Sequence, residues 1–331
     1  MAGTVVEPWI DTSNRDAVAV AQAAEYSHKS PEMDWTGNYE TCHPGESSLQ
    51  LAKATVRRVN FYRAMAGVPT GVIINEEYSD KAQHAALAMS ATGRLSHTPD
   101  QSFDCLSENG ELGAANSNLY LGRTGPEAID GYIEDPGDGN VDVGHRNTIL
   151  HPPTSEIGVG HVAGSDTSYP ANALWVFDDD VFADNPPVRE AQGFVAWPPR
   201  GFVPQELVYP RWSFGLADSV FEDATVTMTT EGEPVELEVV TRLSLQGYVP
   251  APIIVWEPAV DFEAKADRDI TYEISVDGVV VDGVEKDFSY SVTVMGEGAG
   301  QGAGTGVAGL AWQTAAQVAK VVGVTAFGSL G

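Results

Sequence analysis

The chain has 331 residues, of which 18 are basic and 47 acidic, giving a net charge of −29 at pH 7. A surface this negative repels polyanions, which argues against nucleic acid or an anionic lipid as partner. With 43% apolar residues the chain can bury a sizeable core and, at this length, divide into more than one domain. Acidic, lysine-poor surfaces also accompany saline habitats, so the charge reads first as solvation chemistry and says nothing about fold.

The first residues, MAGTVVEPWIDTSN, have no basic n-region and no apolar h-region, so no signal peptide is visible. The expectation is a sequence that begins after processing, with Met1 supplied for expression. Residues 1–45 read as an N-terminal arm: a short helix from Asp16 to Tyr26, then MDWTGNYETCHPG, rich in turn formers and aromatics. Residues 46–182 alternate helix and strand signals. Ala52, Val56, Val59, Tyr62 and Ala66 form a helical stripe that ends at Gly67 and Pro69; Ala82, Ala86 and Met89 form a second, closed by Gly93. Thr124-Gly-Pro-Glu127 has the spacing of a capping box and opens a third helix with Ile129, Tyr132 and Ile133 inward. IGVGHVAG and NALWVFD read as strands.

Residues 183–204 are Pro-rich with aromatics, too apolar for a free linker, and read as an ordered connecting strap. Residues 205–295 are all-β: ATVTMTT, VELEVVTR, IIVWEP, DITYEISVDGV and FSYSVTVM are separated by Gly, Pro or Asp turns, the spacing of an immunoglobulin-like sandwich. The two parts are expected to fold separately and to meet near residues 183–204. Residues 296–331 start with a Gly-rich segment and continue into an apolar tail. Gln313, Gln317 and Lys320 interrupt that tail, so it reads as a helix that packs on the protein, a partner or a membrane surface, not as a span.

Cys42 and Cys105 lie in polar contexts, YETCHPG and SFDCLSEN. An even pair in a chain expected to be exported predicts a disulfide. It would close a loop of roughly 60 residues, for which chain entropy gives about 4 kcal/mol at most.

Motifs in the middle of the chain occur in a set order: VNFYR (59–63), a helical run from Ser79 to Ala91, LSH (95–97), NSNLYLG (116–122), PEAIDGY (126–132) and VGHRNTILHPPTSEIGVGHV (143–162). With these, residues 50–180 resemble the CAP superfamily (cysteine-rich secretory proteins, antigen 5 and pathogenesis-related 1 proteins) in its bacterial form. The resemblance implies a CAP-type α-β-α sandwich, so that the fold class of the whole is α+β, with an all-β accessory domain. It also implies a central cleft in which two His and two acidic residues converge, and where some members bind a divalent metal. His97 of LSH and His145 of GHR take the two His positions, a candidate Zn²⁺ chelate. The acid of Gly-Glu-Asn aligns with Ser117, and Glu108-Asn109 is a rival match nine residues too early. The second acid falls at Asp135, beside Glu134. Three quarters of the tetrad are therefore present, which weakens a Glu acting as general base on a metal-bound water.

Between Tyr132 and GHR the chain carries DPGDGNVDV. Asp135, Asp138, Asn140 and Asp142 alternate around glycines as in a calcium loop, but without the bidentate Glu of an EF-hand; a solvated Asp-Gly turn is the competing reading. His43, His84, His151 and His161 carry no pattern beyond structural or exposed histidines. The expected function is a secreted or cell-surface protein that binds an extracellular ligand (lipid, glycan or protein) in or near a cleft of His97, Ser117, Asp135 and His145, without catalysis and with no required cofactor. A metal-dependent hydrolase using the same cleft is the first alternative, and a structural or adhesive surface component is the second.

Overall fold

The computed structural model describes residues 10–179, 193–243 and 250–297. The Gly-rich segment and apolar tail beyond residue 297, residues 183–192 of the expected strap and the first nine residues lie outside them.

The N-terminal arm supplies α1 (Arg15–Tyr26), started by Asn14, whose side chain accepts the amides of Asp16 and Ala17. Ser48 caps α2 (Leu49–Met65), and Asn75 caps α3 (Glu76–Thr92), which ends at Gly93 with φ +73. Then come α4 (Glu108–Asn116), α5 (Gly125–Glu134) and α6 (Gly144–Ile149). Strands β1 (Ile73–Ile74), β2 (Ser117–Leu121), β3 (Glu156–Val162) and β4 (Ala171–Trp175) form one sheet in the order β1-β3-β4-β2. The β1–β3 pair is parallel and the others antiparallel.

Side chains alternate across this sheet and fix the layers. Leu174 of β4 with Ile157 and Val159 of β3 joins residues of α2 and α5 in one cluster. Ala171, Ala173 and Trp175 join α3 and α4 in another. The Gly-rich character of β3 has a steric cause: a Cβ on Gly158 would lie 2.3 Å from the Tyr78 backbone, and one on Gly160 2.4 Å from that of Ala82. Two glycines thus let α3 lie directly on the sheet.

The capping box expected at Thr124 does not form. Thr124 makes no side-chain cap bond, and Glu127 instead accepts from Ser30 Oγ (3.3 Å). The amide of Gly125, at φ +62, points instead to the buried His161 Nδ1 (3.4 Å). α4 was not anticipated at all, because Gly110 and Gly113 dilute its helical signal.

The remaining strands are β5 (Val195–Trp197), β6 (Gly201–Pro204), β7 (Trp212–Gly215), β8 (Ser219–Val220), β9 (Thr225–Thr230), β10 (Glu233–Pro234), β11 (Leu237–Leu243), β12 (Ile253–Pro258), β13 (Ile270–Val281) and β14 (Val284–Met295). They make a sheet in the order β10-β9-β13-β14-β6, with β8 on β13, and a second in the order β11-β12-β7-β5. The β14–β6 pair is parallel. Residues 195–197 and 201–204 of the expected strap are therefore strands of these sheets, where the aromatics that made the segment too apolar for a linker are consumed: Trp197 is fully buried, its ring 5.2 Å from that of Tyr62 on α2. Among the described residues no strand from 205–295 enters the four-stranded sheet. One hydrophobic cluster nevertheless runs from α2 and α5 through Trp197, Trp212 and Trp256 into Ile274 and Val292, so the two parts share buried surface.

The arm is fastened by a disulfide between Cys42 and Cys105, Cα atoms 5.0 Å apart, and by Tyr39, whose hydroxyl donates to Ala163 O (2.6 Å). Arg63, the last residue of VNFYR, is fully buried and donates to five carbonyls, those of Pro69, Ile149, His151, Pro152 and Thr154 (2.7–3.2 Å). It locks the end of α2 to the turn that follows α6. No described helix is long and apolar enough to cross a membrane.

Candidate functional site

α5 ends at Asp135, which adopts φ +53, ψ +55 as it leaves the helix. This left-handed turn aims a carboxylate that is 1% exposed at the start of α6. Its Oδ2 accepts the amides of His145 (3.0 Å) and Arg146 (3.5 Å), and its Oδ1 lies 2.7 Å from His145 Nδ1. A carboxylate can only accept here, so the imidazole carries a proton on Nδ1 and donates it to Asp135. Beneath the ring Tyr132 is stacked at 5.3 Å, its hydroxyl donating to Asn118 O (2.9 Å) and Asn172 Oδ1 (2.8 Å).

His145, Asp135 and His97 line one cleft of about 380 Å³, together with Ser96, Tyr120 and Asn140 among others. His97 Nδ1 is 2.9 Å from Ala114 O, which fixes its proton on Nδ1 as well. Ser117 is not in this lining: it is 2% exposed, and its Oγ has no hydrogen-bond partner among the described residues. The cleft thus brings together three of the four expected residues. Two other cavities, of about 710 and 440 Å³, lie where the helical part meets the β sheets, and neither contains a histidine bonded to a carboxylate.

The loop after Asp135 is organised around a cation of the protein itself. Arg211, just before β7, points Nη1 at the carbonyls of Asp135 (2.9 Å), Gly137 (2.9 Å) and Asn140 (3.0 Å), while its Nε holds Glu257 (2.8 Å). The Asn140 amide donates to Pro136 O (2.8 Å), and Asp138–Asn140 is a 3-10 turn. Among the described residues no group of three or more His, Cys, Asp or Glu side chains is arranged to hold a metal ion. Beside His97 and His145, the Asp135 carboxylate has both oxygens engaged, by the His145 ring and by the amides of His145 and Arg146. Of the side chains named for a calcium loop, Asp135 is engaged by His145, and the Asn140 amide nitrogen by Pro136 O.

The residues after His145 face the other way. Arg146, 1% exposed, donates to Ile133 O (2.7 Å), Glu134 O (3.2 Å), Arg211 O (2.9 Å) and Ser213 Oγ (3.1 Å), and burial pulls its guanidinium down to about 10. Asn147 Nδ2 donates to Ala251 O (2.9 Å). Gly-His-Arg-Asn thus divides its labour: the His serves the cleft, and the next two side chains bind the β sheets. Neither Arg211 nor this division was anticipated.

Two further histidines are structural. His161 is fully buried; Asn172 Nδ2 donates to its Nδ1 (3.0 Å), so its Nε2–H donates to Thr55 Oγ1 (3.1 Å). Burial pushes His161 down to about 3, and burial with the nearby Arg63 cation pushes His151 down to about 4.

A four-stranded sheet between helix layers, with two histidines and an acid in one cleft, defines the class. Residues 56–178 match the model of the Cysteine-rich secretory protein family, CAP, and this part of the chain is a CAP domain. The match covers the α-β-α layers from within α2 and ends before β5. The family is typically secreted or extracellular, with which the Cys42–Cys105 disulfide is consistent. No curated protein and no solved structure matches the chain.

Proposed function

We propose that the protein is exported and binds an extracellular ligand of glycan type in the cleft of His97, Asp135 and His145, without catalysis. The observation that carries this reading is the buried Asp135 carboxylate, which holds His145 in one tautomer within that cleft. Fixed hydrogen-bonding groups beside aromatic faces are what recognition of a polyhydroxylated molecule requires. Ser96, His97, Asn140 and His145 supply the polar groups and Tyr120 an aromatic ring, with Tyr132 buried beneath His145 as its support. An aliphatic chain would leave these groups unpaired, which disfavours a lipid.

Hydrolysis is the weaker reading. Ser117 stands where a general-base Glu would be needed and lies outside the cleft lining, and Ser96 Oγ accepts the Thr98 amide (3.1 Å) and makes no bond to His145.

Calorimetric titration with soluble oligosaccharides of N-acetylglucosamine and of glucose, and with a medium-chain fatty acid, tests the proposal. Binding of a saccharide to the wild type, weakened at least tenfold in His145→Ala and in Asp135→Asn, is expected. Fatty acid binding that survives both substitutions, or release of cleaved saccharide, would overturn it.

A further inference from the structure

The segment that carries Asp135 into the cleft is held in a conformation it would not adopt unaided. Asp135 and Val143, at its two ends, both have positive φ (+53 and +46). For Asp this is tolerated, but for a β-branched residue it is an outlier that persists only where surroundings over-determine it. Those surroundings come from the β sheets. Val143 is fully buried in a cluster with Ile253 and Val255 of β12. Arg211 gathers the carbonyls of Asp135, Gly137 and Asn140 onto one nitrogen and is itself braced by Glu257.

We infer that Arg211 is a positioning residue of the cleft: by clamping these three carbonyls it seats the Asp135 carboxylate on His145, so that the tautomer of the cleft imidazole is set by the accessory β sheets. Two arginines share the work at the end of α5. Arg146 takes the carbonyls of Ile133 and Glu134, and Arg211 takes that of Asp135, so the unpaired carbonyls and negative end of the helix meet two guanidinium groups. Only Arg211 goes on into the loop. Lysine could not replace it, because a single ammonium cannot reach three carbonyls and also keep the Nε contact to Glu257.

The inference uses the cleft of the preceding proposal, but its readout, the Nδ1 proton of His145, needs no ligand and so can fail independently. In ¹⁵N-edited spectra at neutral pH, wild type should show that proton as a resolved, slowly exchanging signal. In Arg211→Gln its exchange should quicken about tenfold or more, the ratio that one lost charge-assisted hydrogen bond represents, and Arg211→Lys should fall between. Val276→Ala, which opens a void in the same sheets far from Arg211 in the chain, should lower stability and leave the signal unchanged. If Arg211→Gln does not fold, Arg211→Lys and Glu257→Gln carry the test, each with a several-fold rise in exchange. Unchanged exchange in the folded Arg211 variants, or an equal loss in Val276→Ala, would overturn the inference.

Discussion

His161 makes the stability of the fold sensitive to mild acid by an amount that can be worked out. The ring is fully buried, and its two nitrogens are committed as acceptor from Asn172 and donor to Thr55, so a second proton has no place. Its folded value is about 3 against an ordinary 6.5. The unfolded chain therefore binds the extra proton first, and stability falls as pH drops from about 6.5 toward 3. The slope approaches 1.36 kcal/mol per pH unit, so about 2 kcal/mol is lost by pH 5 from this residue alone. Carboxylates titrate over the lower part of the same range, so the quantity to measure is a difference. Urea denaturation of wild type and His161→Leu at pH 7.5, 6.5, 5.5 and 5.0 and fixed salt isolates it. The variant is destabilised at neutral pH, since Thr55 and Asn172 lose a partner, but the gap should narrow by about 2 kcal/mol by pH 5. A gap independent of pH would refute the argument, because it would mean that His161 is not held neutral by the fold.

Removing the Cys42–Cys105 disulfide as a double alanine variant should cost up to about 4 kcal/mol by the loop-entropy estimate for its 63-residue separation; thermal unfolding with and without reductant measures it. Arg63→Lys should destabilise by about 2–4 kcal/mol, since a lysine leaves several of the five buried carbonyls unpaired, as denaturant midpoints would show. Ser117→Ala should be neutral or stabilising by up to about 1 kcal/mol, because its buried Oγ has no partner among the described residues; a loss above that in urea would contradict it.

What could be read from the sequence was what is local. The stripes of α2 and α3, the stop at Gly93 and the long alternating strands of the β sheets are set by residues a few positions apart. The cysteine pair was found from context, and the positions of His97, Asp135 and His145 from motif order. α4 was hidden by its glycines, and the capping box at Thr124 matched a spacing that tertiary contacts from Ser30 and His161 override. Strands β5 and β6 were masked by prolines. Ser117 was placed in the cleft because alignment gives a position in the chain, not the direction of a side chain. Arg211 was invisible for a stronger reason: it meets the loop 71–76 residues away in sequence, and nothing local marks an arginine that collects carbonyls.

The claim that the cleft of His97, Asp135 and His145 is the ligand site is tested most directly by mapping amide and imidazole shifts in NMR spectra as an N-acetylglucosamine oligosaccharide is titrated into the full-length protein. The account predicts saturable shifts centred on Ser96, His97, Tyr120, Asn140 and the His145 ring, lost in His145→Ala. Shifts confined to residues outside this cleft, or saturable binding that His145→Ala leaves intact, would contradict it.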